Sequence, residues 1–129
     1  MIPPFSLGVD ILERKKAGVF YDRHQARLAT LLNPNELAYL RTSVKPREAF
    51  TMIFSAKEAV FKALGGPVLG IAGFRDVQLF PQKNFSVKLK GAFKKNVRTF
   101  SGFKVSFKKT RYHIVATCHP RAVTPCAGT

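Results

Sequence analysis

Between Pro46 and Leu64 the chain runs Pro-Arg-Glu-Ala-Phe-Thr-Met-Ile-Phe-Ser-Ala-Lys-Glu-Ala-Val-Phe-Lys-Ala-Leu. Its second half sets a carboxylate and two lysines into an apolar, helix-forming stretch. Proline is tolerated in the first turn of a helix, so Pro46 starts one and the helix runs from about Arg47 to Leu64. Phe54, Phe61 and Leu64 supply an anchoring surface, and Gly65-Gly66 with Pro67 stop it. Glu58 and Lys62 are four residues apart and share a face. A metal-ligating carboxylate and a phosphate-binding cation on one rigid helix would make a phosphoryl-transfer site. The same pair would equally be an ordinary salt bridge on a solvated face.

A second element lies near the start. Phe5-Ser6-Leu7-Gly8-Val9-Asp10-Ile11-Leu12-Glu13 reads as a buried strand with one acid inside it. Asp10, between Val9 and Ile11, is costly to bury unless it is paired or holds a cation. It could also end the strand and cap a turn. Gly8 removes a side chain where a ligand could approach the backbone.

The Gly-Val-Asp-Ile strand followed by the Ser55-Ala56-Lys57-Glu58-Ala59 to Lys62-Ala63-Leu64-Gly65 helix resembles the 4′-phosphopantetheinyl transferases. The short chain and the motif spacing point to the holo-[acyl-carrier-protein] synthase branch. Leu32-Asn33-Pro34-Asn35-Glu36-Leu37, Arg75-Asp76-Val77-Gln78-Leu79 and Val87-Lys88-Leu89-Lys90-Gly91-Ala92 extend the likeness along the chain.

The resemblance implies transfer of phosphopantetheine from coenzyme A to a carrier-protein serine, with adenosine 3′,5′-bisphosphate as by-product. Attack on a pyrophosphate calls for a divalent metal, and Mg2+ typically takes one or two protein carboxylates. Asp10 and Glu58 match the family's metal positions. Lys62 matches its phosphate-binding lysine, and Glu58 and Lys62 are the catalytic pair. Lys57 would pair with a carboxylate or reach the cofactor. Gly65 and Gly66 would let backbone N–H groups approach phosphates. The general base is left open between Glu58 and a metal-bound water that it polarises. Lys16 and Arg23 fall where the family grips its carrier, and Arg27 is a looser candidate. Short members of the family are homotrimers with sites between subunits, so a trimer is expected.

This chain also departs from the family pattern. Ile53 stands where the family carries arginine. Ser106 matches the first serine of a Ser-x-Ser-His strand, but Lys108 and Lys109 replace the second serine and the histidine. These positions are expected to meet the nucleotide end of coenzyme A. Lysines would serve there as point charges, without arginine's forked geometry. The departures leave room for a non-catalytic relative that binds carrier protein or nucleotide.

The charge is extreme, with 22 Lys and Arg against 7 Asp and Glu, for a net +15. From Arg75 to Arg121 there are twelve basic residues and one acid, Asp76. Such a field attracts polyanions, which keeps a basic nucleic-acid-binding module open as a rival. No apolar run approaches the ~20 residues of a membrane span. Met1-Ile2-Pro3-Pro4 lacks the features of a secretory signal, so cytoplasmic residence is expected. Cys118 and Cys126 have no ligand set around them, and His24, His113 and His119 read as structural or solvated. The 12 phenylalanines read as core packing.

The expected fold is α+β, a single domain over residues 1–120 with a flexible tail at 121–129. Helices are expected over Glu13–Leu32, Asn35–Leu40 and Arg47–Leu64. Strands are expected over Asp76–Phe80, Phe85–Leu89, Phe103–Phe107 and Tyr112–Cys118. The late strands should form an antiparallel sheet that the first strand joins, with the helices packed on it.

Overall fold

The computed structural model describes residues 7–64, 75–90 and 100–122, with side chains from 103 to 119 in the last stretch. Strand β1 (Gly8–Glu13) leads directly into helix α1 (Arg14–Arg23). A 3₁₀ turn (Gln25–Arg27) and the short helix α2 (Leu28–Leu31) follow. Next come α3 (Pro34–Thr42) and the long α4 (Pro46–Ala63). The second half holds β2 (Val77–Phe80), β3 (Ser86–Leu89), β4 (Phe100–Lys109) and β5 (His113–Ala122). The architecture is α+β in a single domain, as the alternation pattern implies. β5 runs past the expected boundary at residue 120, and residues 123–129 lie outside the described residues.

The expected single helix from Glu13 to Leu32 is three pieces. His24 ends α1: its backbone N–H reaches the Phe20 carbonyl at 3.0 Å, and its ring stacks on Phe20 at 4.2 Å. The ring Nδ1 lies 2.9 Å from that same carbonyl oxygen. The late strands also divide. β1, β5 and β4 form one antiparallel sheet in that order, while β2 and β3 pair separately. Phe85, expected to open β3, instead sits in the turn at φ 53°. A bulky side chain seldom adopts that conformation. Its ring is buried against Tyr39 and Phe107, which holds the turn.

Alternation gives the three-stranded sheet two unlike faces. Gly8, Asp10 and Leu12 of β1 share a face with Ile114, Ala116 and Cys118 of β5 and with Phe103, Val105 and Phe107 of β4. This face is packed against α4, whose Ile53, Ala56, Ala59, Val60 and Ala63 are fully buried. Leu7, Val9 and Ile11 lie on the other face and are exposed, Ile11 by 63%. Burial pushes the Cys118 thiol up to about 12, so it behaves as a small apolar core residue.

Gly8 lies hard against the backbone of α4. A Cβ there would lie 2.5 Å from the Ala63 nitrogen and nearer still to the Ala59 carbonyl oxygen. The space expected for a ligand is therefore filled by the backbone of α4. Gly8→Ala is expected to cost about 1–3 kcal/mol, because neither obstructing atom belongs to a side chain that can rotate away. A urea midpoint equal to that of the unmodified protein would contradict it.

Candidate active site

Asp10 sits where β1 crosses α4, with its side chain 13% exposed. Ser55 Oγ donates to Oδ2 at 2.9 Å, and Lys62 Nζ donates to Oδ1 at 3.1 Å. Glu58 lies on the same stretch of α4. Its carboxyl is raised above its ordinary value, first by burial, then by the negative charge of Asp10, with Lys62 opposing. Lys62 touches Asp10 directly, and Glu58 stands one turn before Lys62 on the same face of α4. β1 supplies one acid because its inner positions alternate. α4 supplies the other groups because residues 55, 58 and 62 recur at helical spacing.

The donor set suits a hard divalent cation. It consists of carboxylate oxygens, two of them electrostatically opposed, with a cationic group already seated on Oδ1. Among the described residues no third His, Cys, Asp or Glu joins them. Two carboxylates, with the remaining positions open to water or phosphate oxygens, match magnesium's habit.

Lys57 departs from the cofactor-side expectation. It follows Ala56 on the face turned toward α3 and β2, and its side chain is 0% exposed. Its Nζ lies 3.0 Å from Glu36 Oε1, and Glu36 is also 0% exposed. Burial lowers the lysine's pKa, with Glu36 opposing that shift. Glu36 Oε1 also accepts the Asn33 backbone N–H at 2.8 Å, and Oε2 accepts the Leu79 N–H at 2.8 Å. One carboxylate thus caps α3, ties down β2 and pairs the lysine. An ammonium enclosed in this way has no surface to offer coenzyme A. The Asn33-Pro34-Asn35-Glu36 capping pattern could have revealed the first of these roles. The contacts with Lys57 and Leu79 are long-range and have no local signal.

The chain matches the family described as the 4′-phosphopantetheinyl transferase superfamily over residues 6–118. It belongs to that superfamily. A holo-[acyl-carrier-protein] synthase of Clostridium kluyveri is 29% identical over 103 residues, covering 78% of this chain and 76% of that protein. The crystal structure of the Neisseria meningitidis holo-[acyl-carrier-protein] synthase superposes with a TM-score of 0.76 at 22% identity, covering 93% of this chain and 99% of that one. A Chronobacterium ammoniagenes synthase described as a coenzyme A complex superposes at 0.71 with 19% identity, covering 93% and 98%. The protein is accordingly an enzyme of this transferase superfamily, of the holo-[acyl-carrier-protein] synthase type.

Against the transferase pattern, the remaining candidates fall into separate places. Gly65 and Gly66 lie outside the described residues. Ile53, at the family's arginine position, is fully buried in the core. Ser106 and Lys108 are exposed on the face of β4 opposite Asp10. Lys109, at the end of β4 on the face turned to α4, meets Glu48 Oε2 at 3.3 Å, and Arg14 holds Glu48 Oε1 at 2.6 Å. Lys16 and Arg23 both lie on α1 and are exposed, while Arg27 is exposed in the 3₁₀ turn.

Sequence reading missed Glu48. The Arg14 hydrogen bond is the largest influence holding its carboxyl below the ordinary value; burial opposes this and Lys109 assists it. A depressed carboxylate stabilises the fold above its unfolded pKa, and that contribution is lost as pH falls through the folded pKa. Glu48→Gln should therefore cost ~0.5–1 kcal/mol at neutral pH and nothing in strong acid. Urea midpoints at the two pH values check this, and an equal deficit at both would contradict it.

Proposed function

We propose that this chain transfers the 4′-phosphopantetheine group of coenzyme A to a serine hydroxyl of an acyl carrier protein, using Mg2+ held by Asp10 and Glu58. The supporting observation is the convergence of Asp10, Glu58 and Lys62 at one crossing of strand and helix. The serine oxygen forms a bond to the pantetheine-bearing phosphorus. The bond from that phosphorus to the bridging oxygen breaks, and adenosine 3′,5′-bisphosphate leaves. Bound Mg2+ would supply charge neutralisation at the phosphate oxygens. Lys62, half-exposed at the end of α4, is free to turn toward a phosphate and adds a second positive charge there. Glu58, or a water that it polarises, would take the serine's proton. Incubating the protein with apo-carrier, coenzyme A and Mg2+ should raise the carrier's mass by one phosphopantetheine. No mass change would instead favour the non-catalytic relative.

The proposed coenzyme A site takes in a second copy of the chain. Ser106 and Lys108 face away from Asp10, so they meet a coenzyme A bound there only from a second chain. The exposed apolar row of Leu7, Val9 and Ile11 on that same outer sheet face suits self-association. A homotrimer fits these observations, and a monomer by light scattering under assay conditions would refute it. No helix among the described residues is long and apolar enough to cross a membrane.

α1 is the proposed carrier surface. Lys16 and Arg23 are two turns apart and share a face. The resemblance implies a carrier that is acidic around its target serine, so reversing both to glutamate should raise the Michaelis constant for the carrier about tenfold or more at low salt, through like-charge repulsion. The constant for coenzyme A should hold, and added salt should shrink the effect. Unchanged carrier kinetics would move the docking surface elsewhere.

A further inference from the structure

Ser55 has a choice of acceptors. A buried serine or threonine inside a helix commonly donates to the carbonyl one turn back. Thr51 does so, reaching the Arg47 carbonyl at 2.7 Å. Ser55, one turn later and fully buried, sends its hydroxyl across to β1. It meets Asp10 Oδ2 at 2.9 Å and approaches the Asp10 carbonyl oxygen at 3.4 Å. Among the described residues, the other oxygen of Asp10 is held by Lys62, a long side chain that is 54% exposed. The terminal torsion of an aspartate is broad and roughly two-fold. Lys62 can follow the carboxylate as it rotates, whereas Ser55, enclosed in α4, cannot.

We propose that Ser55 is a positioning residue, whose hydroxyl holds Asp10 Oδ2 and so fixes the carboxylate with Oδ1 turned toward Lys62. This deepens the transferase reading above and rests on it. Supporting partners behind a metal-ligating group commonly set affinity by 10–100-fold when removed. Ser55 differs from such a partner only in donating to a carboxylate rather than accepting from a histidine.

The test uses the full chain and Mn2+ as a paramagnetic probe, with free Mn2+ read by electron paramagnetic resonance. Ser55→Ala should fold, with a thermal midpoint lowered by no more than a few degrees, and bind Mn2+ about tenfold more weakly. The Mg2+ concentration for half-maximal transfer should rise by a similar factor, while the Michaelis constant for carrier stays put. Ser55→Thr retains the hydroxyl and should restore both. Should threonine fail to fit, Ser55→Cys keeps the shape with a weak donor and should fall between serine and alanine. Equal Mn2+ affinity in Ser55→Ala and the unmodified protein overturns the positioning role alone. Failure of the unmodified protein to bind Mn2+ overturns the metal reading and this proposal together.

Discussion

Glu36→Leu is expected to be the most destabilising single substitution on α3. It would take the Glu36 carboxylate away from the enclosed Lys57 ammonium, and breaking a buried ion pair in this way costs about 3–5 kcal/mol. It also strips the Asn33 and Leu79 N–H groups of their acceptor, at about 1–3 kcal/mol for each group that stays buried. Together these rival the ~5–15 kcal/mol that holds an ordinary domain folded. The variant should be largely unfolded or insoluble at room temperature. The double replacement Glu36→Leu with Lys57→Met should recover much of the stability, because it removes the enclosed ammonium together with its carboxylate. Denaturant curves of the single and double variants decide the matter. A single variant of normal stability would show that the pair is not enclosed in solution.

Asp10→Asn should have the largest effect on turnover. The amide keeps the shape of the side chain and still accepts the Ser55 hydroxyl, so the fold should be retained. It removes the charge that pairs with Lys62 and that would hold the metal. Transfer should fall by at least ~100–1,000-fold, the range seen when one charge-stabilising group is lost from an active site. Circular dichroism should be unchanged and Mn2+ binding lost. Normal turnover in this variant, or normal turnover of the unmodified protein in excess chelator, would remove the metal from the mechanism.

Particular residues show what was legible in the sequence. Val9, Asp10 and Ile11 reveal strand period directly, and Glu58 with Lys62 reveal helical period, so the site's two carriers could be read before the fold was known. Phe103, Val105 and Phe107 alternating with Lys104, Ser106 and Lys108 likewise foretell a half-buried strand, and their burial agrees. Gly8 was misread because the neighbour that needs its space, the backbone of α4, lies some fifty positions along the chain. Lys57 was ambiguous for a similar reason. It adjoins Glu58 in sequence, yet one residue turns a helix by roughly 100°, which moves it from the site into the core. Its partner Glu36 belongs to another helix, and no local pattern names it.

The contact between Gly8 and the Ala59–Ala63 backbone also bears on quality control. A slip of β1 by one residue along β5 would put every side chain of the strand on the opposite face. Asp10 would then point to solvent, and Val9 or another bulky residue would replace the hydrogen of Gly8 against α4, where a Cβ already cannot fit. The only register that closes the sheet on the helix is thus the one that delivers the carboxylate to Ser55, Glu58 and Lys62. Misregistered molecules would bind no Mn2+ at that crossing. Metal titration of a refolded preparation should therefore count its correctly threaded fraction, and that fraction should equal the fraction able to modify a carrier.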